Sequence, residues 1–186
     1  MTAPAEETRL GARWFFAGVG LLAILAGISL WLANEPSRPR AGNPQLAPAA
    51  LYAATFRDAQ GVEQPLGLYQ GKILVLNFWA TWCAPCREEM PAFSRLQARW
   101  AGRNVQFVGL AEDEPERVER FRQEVTVSYP IYSGLGDVGE LARRLGDGDG
   151  LLPFTVVFDE QGRVIEQRLG PFAERDLDAL LAHIVH

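Results

Sequence analysis

The two cysteines of this chain, Cys83 and Cys86, sit together at one junction. Before them runs Ile73–Phe78 (ILVLNF), a short apolar stretch of the kind buried inside parallel sheets. After them, Pro85–Trp100 carries Met90, Phe93, Leu96 and Trp100 at helical spacing. A strand that turns at once into a helix restricts the fold to α/β arrangements and places the thiols at the helix N-terminus. Unpaired N–H groups and a partial positive charge there favour a thiolate, the species that attacks disulfides. Pro85 falls in the first turn, where its missing N–H costs nothing. Cys86 follows Cys83 by about one turn, so the two sulfurs can close into a disulfide. Cys83 reads as the nucleophile and Cys86 as the resolving thiol that releases a mixed disulfide.

The rest of the chain extends the α/β pattern. Ala53–Tyr69 suggests two short strands around a turn at Asp58–Gly61. Val105–Ala111 reads as a second buried strand. Asp113 and Glu116 form a capping-box pattern before a helix bearing Val118, Phe121 and Val125 on one face. A short strand is expected at Pro130–Tyr132 and a helix at Val138–Leu145. A hairpin follows, turning at Asp159–Gly162, and Phe172–His186 reads as a final amphipathic helix. The whole implies an α/β sandwich with a central mixed sheet flanked by helices.

The N-terminal part has a different character. Trp14–Ala33 (WFFAGVGLLAILAGISLWLA) is uncharged and, as a helix, roughly 30 Å long, enough to cross a bilayer core. Trp14 and Trp31 lie near its ends, where indole rings favour the membrane interface. Trp31 two positions before Ala33 makes a poor signal-peptidase site, so the run reads as an uncleaved signal anchor. Residues 1–13 then form a short cytoplasmic tail, 14–33 the transmembrane helix, 34–49 a Pro-rich extended linker and 50–186 the folded domain.

Composition excludes several classes. A net charge of -5 and the lack of any Lys/Arg-rich run argue against nucleic-acid binding. One Cys-x-x-Cys pair without a second is at most half of a zinc site, and both histidines, His183 and His186, lie at the far end of the chain. No metal site is expected. Asp147 and Asp149 in Gly146–Gly150 (GDGDG) read as a solvated turn, because no glutamate closes a calcium loop.

The segment FWATWCAPC resembles the active site of thioredoxins, and most of Leu51–His186 resembles the TlpA/ResA-like branch of membrane-anchored thiol-disulfide oxidoreductases. Trp82 directly precedes the nucleophile, as in that branch. Pro91 falls where family members kink this helix, and Pro153 where they carry a cis-proline beside the disulfide. Glu89 matches an active-site glutamate of the ResA-like branch. The resemblance implies a thioredoxin-like sandwich behind one N-terminal transmembrane helix. It also implies a site with Cys83, Cys86 and Glu89 as catalytic residues and Trp82, Pro85, Leu152 and Pro153 against the substrate. No cofactor is implied beyond the redox-active Cys83–Cys86 disulfide. The implied partners are protein disulfides, apocytochrome c among them, and an upstream transmembrane thiol reductant. The implied location is the inner membrane with the domain facing the periplasm.

Two positions depart from the family pattern. Asn77 stands where thioredoxin has a buried aspartate, which makes Glu89 the better candidate proton carrier. Leu152 precedes Pro153 where Thr or Val is frequent. Ala84-Pro85 between the cysteines offers no cation to stabilise a thiolate, so a reductant is expected rather than a strong oxidant. The competing expectation is a peroxiredoxin-like (AhpC/TSA-related) thiol peroxidase. Such enzymes carry Pro and Thr seven and three residues before the reactive Cys, where this chain has Leu76 and Ala80. A non-enzymatic thiol or copper carrier would need Met or His near the cysteines.

Overall fold

The computed structural model describes residues 48–185. The expected transmembrane anchor and most of the linker lie outside the described residues. Helix α1 (Pro48–Ala53) leads into strands β1 (Thr55–Arg57) and β2 (Glu63–Pro65), then a 3₁₀ turn at Leu66–Tyr69. Strand β3 (Ile73–Trp79) runs into helix α2 (Ala84–Trp100), and β4 (Val105–Ala111) into α3 (Pro115–Glu124). After β5 (Ile131–Ser133) and α4 (Asp137–Arg144) come the hairpin β6 (Phe154–Phe158) and β7 (Val164–Leu169), and helix α5 (Glu174–Ile184).

The strands form one seven-stranded mixed sheet in the order β2-β1-β5-β4-β3-β6-β7. β3, β4 and β5 are parallel, while β6 lies antiparallel to β3 with Phe78 opposite Phe154. Because side chains alternate along a strand, β3 feeds two cores. Ile73, Val75 and Trp79 face α2, α3 and α5. Leu74, Leu76 and Phe78 face α1, the 3₁₀ turn and α4. Every residue of β3 is buried, which explains its near-continuous apolar sequence and makes Asn77 an anomaly.

Three sequence expectations change. The chain from Pro48 is already helical, because Leu51 and Tyr52 bury themselves in the second core. Asp113 does not cap α3: the cap position is Glu114, without a side-chain bond, and Pro115 opens the helix. Asp113 is instead turned toward the loop after β3, where it binds Thr81. Finally, Gly146–Gly150 is not simply solvated. Asp147 is buried, and its Oδ1 accepts the Leu151 N–H at 3.0 Å, closing the loop that leads to Pro153. Among the described residues, no helix is long and apolar enough to cross a membrane.

Candidate active site

Cys83 is the N-cap of α2, with extended backbone (φ -84°, ψ 101°). Its Sγ accepts the backbone N–H of Cys86 at 3.3 Å, and its carbonyl accepts that of Arg87. The sulfur therefore occupies the cap position where the helix presents free donors and positive potential. Cys83 and Cys86 are joined in a disulfide with Cα atoms 5.3 Å apart. Cys83 is 5% exposed and Cys86 fully buried, so an incoming sulfur reaches Cys83 first. Trp82 beside it is 66% exposed, whereas Trp79 is wholly buried against Phe121. Pro85 is exposed in the first turn of α2.

Glu89 lies one turn beyond Cys86 on the buried side of α2 and is 6% exposed. An ordinary solvent-facing first-turn glutamate is thereby excluded. Its Oε1 accepts the side-chain amide of Asn77 at 2.9 Å, and its Oε2 accepts the backbone N–H of Phe172 at 3.0 Å. Asn77 also donates to Thr155 Oγ1 at 3.1 Å. No ion pair among the described residues involves Glu89. Burial pushes its carboxyl up to about 7, against the opposing pull of the Phe172 and Asn77 donors. Burial, and then the Glu89 charge, raise the Tyr129 hydroxyl above the usual tyrosine range. A carboxyl that titrates near neutrality one turn from a buried thiol can take and return a proton under working conditions.

Leu152 and Pro153 lie at the edge of the sheet where β3 ends, since Phe154 is already opposite Phe78. Their peptide bond is cis, Pro153 is buried and its carbonyl accepts the Gly170 N–H at 2.8 Å. Leu152 is half-buried against both cores. The fold thus gathers Cys83, Cys86 and Glu89 on α2, with Leu152 and Pro153 at the sheet edge where the loop to Cys83 departs. Asn77 as the direct partner of Glu89, and the Thr81–Asp113 contact, escaped the sequence reading. A lone amide in an apolar strand was the available signal for Asn77. Nothing local marks the second. Leu76 and Ala80, the positions that a peroxidase would fill with Pro and Thr, are fully buried apolar residues. Among the described residues, no group of three or more His, Cys, Asp or Glu is placed to hold a metal.

A mixed sheet between helices, with a Cys-x-x-Cys pair at the cap of the helix that follows the interior strand β3 and a cis-proline at the neighbouring strand end, defines a thioredoxin-fold dithiol protein. The Redoxin family matches residues 42–181. Thiol-disulfide oxidoreductase ResA of Halalkalibacterium halodurans is 30% identical over 165 residues, covering 86% of this chain and 90% of that protein. ResA of Bacillus thuringiensis (strain Al Hakam) is 31% identical over 129 residues, covering 68% of this chain and 72% of that protein. A thiol:disulfide interchange protein of the thioredoxin family from Chlorobium tepidum TLS superimposes with a TM-score of 0.64 at 26% identity, over 81% of this chain and 99% of that one. The chain belongs to the Redoxin family, within its TlpA/ResA-like group, and is a thiol-disulfide oxidoreductase.

Proposed function

We propose that this oxidoreductase is a membrane-anchored, extracytoplasmic reductant of protein disulfides that works through the Cys83-Ala84-Pro85-Cys86 pair. The observation that carries the reading is the inequality of the two sulfurs. Cys83 caps α2 and keeps a small exposed area, while Cys86 is wholly buried one turn from Glu89. In the reduced enzyme the Cys83 thiolate attacks one sulfur of a substrate disulfide, and the other substrate sulfur leaves as a thiolate that takes a proton. Glu89 then accepts the Cys86 proton, and the Cys86 thiolate attacks Cys83 Sγ in the mixed disulfide. The second substrate sulfur leaves as a thiolate and takes up the proton that Glu89 received. Two electrons pass to the substrate, and the enzyme ends in the Cys83–Cys86 disulfide. Trp82, Pro85, Leu152 and Pro153 form the surface against which the substrate chain lies.

The Trp14–Ala33 run supports a single-pass anchor in the inner membrane with the domain on the periplasmic side. A reductant placed there draws electrons from a transmembrane thiol carrier. Cytochrome c maturation, with apocytochrome c thiols as the client, comes from the family resemblance. The lack of a cation between the cysteines supports a potential roughly between -270 and -180 mV, the range bounded by thioredoxin and protein disulfide isomerase.

Trapping tests the assignment. Cys86→Ser removes the resolving attack, so membrane extracts should contain covalent adducts on Cys83 that collapse on reduction. Cys83→Ser should trap far less, because Cys86 is buried. Equal trapping by both variants would overturn Cys83 as the attacking residue. A haem-attachment peptide in the adduct would identify a cytochrome precursor, and a broad set of exported proteins a general reductant.

A further inference from the structure

We propose that Asp113 is a positioning residue for Cys83, acting through Thr81. The inference rests on the oxidoreductase reading above and concerns how its nucleophile is held.

The segment between the end of β3 and Cys83 has no strand partner, so its backbone groups need other bonds. Asp113, two residues past the end of β4, supplies one for Thr81. Its Oδ2 accepts both the backbone N–H of Thr81, at 3.0 Å, and the Thr81 hydroxyl. Its Oδ1 accepts the Glu114 N–H at 2.8 Å. Asp113 is 4% exposed, and the nearest cation is Arg117, whose Nε lies 3.9 Å from Oδ1. Bonds to a carboxylate held out of water are charge-assisted and geometrically strict. On either side of Thr81 the chain is tied as well. The Trp79 carbonyl accepts the Glu112 N–H at 2.9 Å, and the Cys83 N–H donates to the Ala80 carbonyl at 3.1 Å. Trp82, the residue between Thr81 and Cys83, is mostly in solvent, so its packing does little to hold the loop. Two bonds to one buried oxygen therefore hold Thr81, the middle of the turn that delivers Cys83 to the cap of α2. A misplacement of about 1 Å at a reacting atom costs on the order of 100-fold in rate, so a loosened loop is visible in exchange kinetics.

The test uses the full-length chain, reduced, against a chromogenic small-molecule disulfide, with rates taken above the Cys83 pKa where the thiolate is fully formed. The Cys83 pKa is measured in parallel by thiolate absorbance. Asp113→Asn and Thr81→Val are each expected to slow the limiting rate about tenfold. Thr81→Ser, which keeps the hydroxyl, is expected to stay within about twofold of the parent. The double variant Asp113→Asn/Thr81→Val should be no slower than the slower single, because both remove one shared interaction. Limiting rates equal to the parent would overturn the inference, as would losses that multiply in the double variant. A lowered Cys83 pKa in Asp113→Asn, with Thr81→Val unchanged in rate and pKa, would assign Asp113 an effect of charge and overturn positioning. Absence of exchange by the parent chain would remove the oxidoreductase mechanism and this inference together. Exchange by the parent with unaffected variants would remove the inference alone.

Discussion

The side-chain amide of Asn77 donates to Glu89 Oε1 at 2.9 Å, joining β3 to the helix that carries both cysteines. Burial without a cationic partner keeps the proton affinity of Glu89 high, and the Asn77 bond offsets only part of that rise.

Glu89 makes stability fall as pH rises. Its carboxyl titrates at about 7 in the folded chain, against 4.5 for a solvent-exposed glutamate. The folded state therefore holds the proton more tightly across that window. The stability that Glu89 contributes to the oxidised protein is full below about pH 4.5 and is lost as pH climbs through about 7, by up to roughly 3 kcal/mol. Chemical denaturation at a series of pH values should show this slope in the parent and its loss in Glu89→Gln. Equal slopes would mean that Glu89 titrates normally.

The same substitution has a kinetic consequence. An ionised carboxylate near the sulfurs disfavours a thiolate. Glu89→Gln should lower the Cys83 pKa and slow resolution of a mixed disulfide by on the order of 100-fold, the scale of a lost general base. Thiolate absorbance and single-turnover release of product measure the two effects.

Asn77→Asp would set two carboxyl groups in contact between β3 and α2. Both cannot ionise cheaply, so the pair should titrate in two separated steps, the upper one above the Glu89 value. Infrared titration of the carboxyl bands would resolve them, and stability above neutral pH should drop relative to the parent.

Trp82→Ala should barely change stability, within about 0.5 kcal/mol, because the ring is mostly in solvent. Exchange with protein disulfides should slow several-fold more than exchange with a small disulfide. A uniform effect on both substrates would deny the ring a role in binding protein.

Hydrogen peroxide should oxidise Cys83 slowly and without saturation, since Leu76 and Ala80 provide no hydroxyl to hold it. Stopped-flow fluorescence would check this, and fast saturable turnover would favour the peroxidase.

The full chain is expected to sediment with membranes and to be open to protease from outside the cytoplasm. Deleting residues 1–40 should release a soluble domain that retains exchange activity, because the two cores described begin at Leu51.

Local chemistry made the centre of this protein legible in the sequence. A strand such as Ile73–Trp79, a proline in the first turn and a three-residue cysteine spacing act over a few neighbouring residues, so they specified β3, α2 and the capping dithiol directly. The hairpin at Asp159–Gly162 and the strand at Val105–Ala111 were readable for the same reason. Tertiary structure decided what the polar residues do. Glu89 is buried because its partners come from β3 and from Phe172, 83 residues onward. Asp113 fits a local capping pattern, yet Thr81, 32 residues earlier, takes its Oδ2. Asp147 looks like part of a solvated turn and is buried to close its loop. Periodicity and turn chemistry are short-range, whereas the desolvation that sets a carboxylate's proton affinity and partners depends on which distant segments cover it.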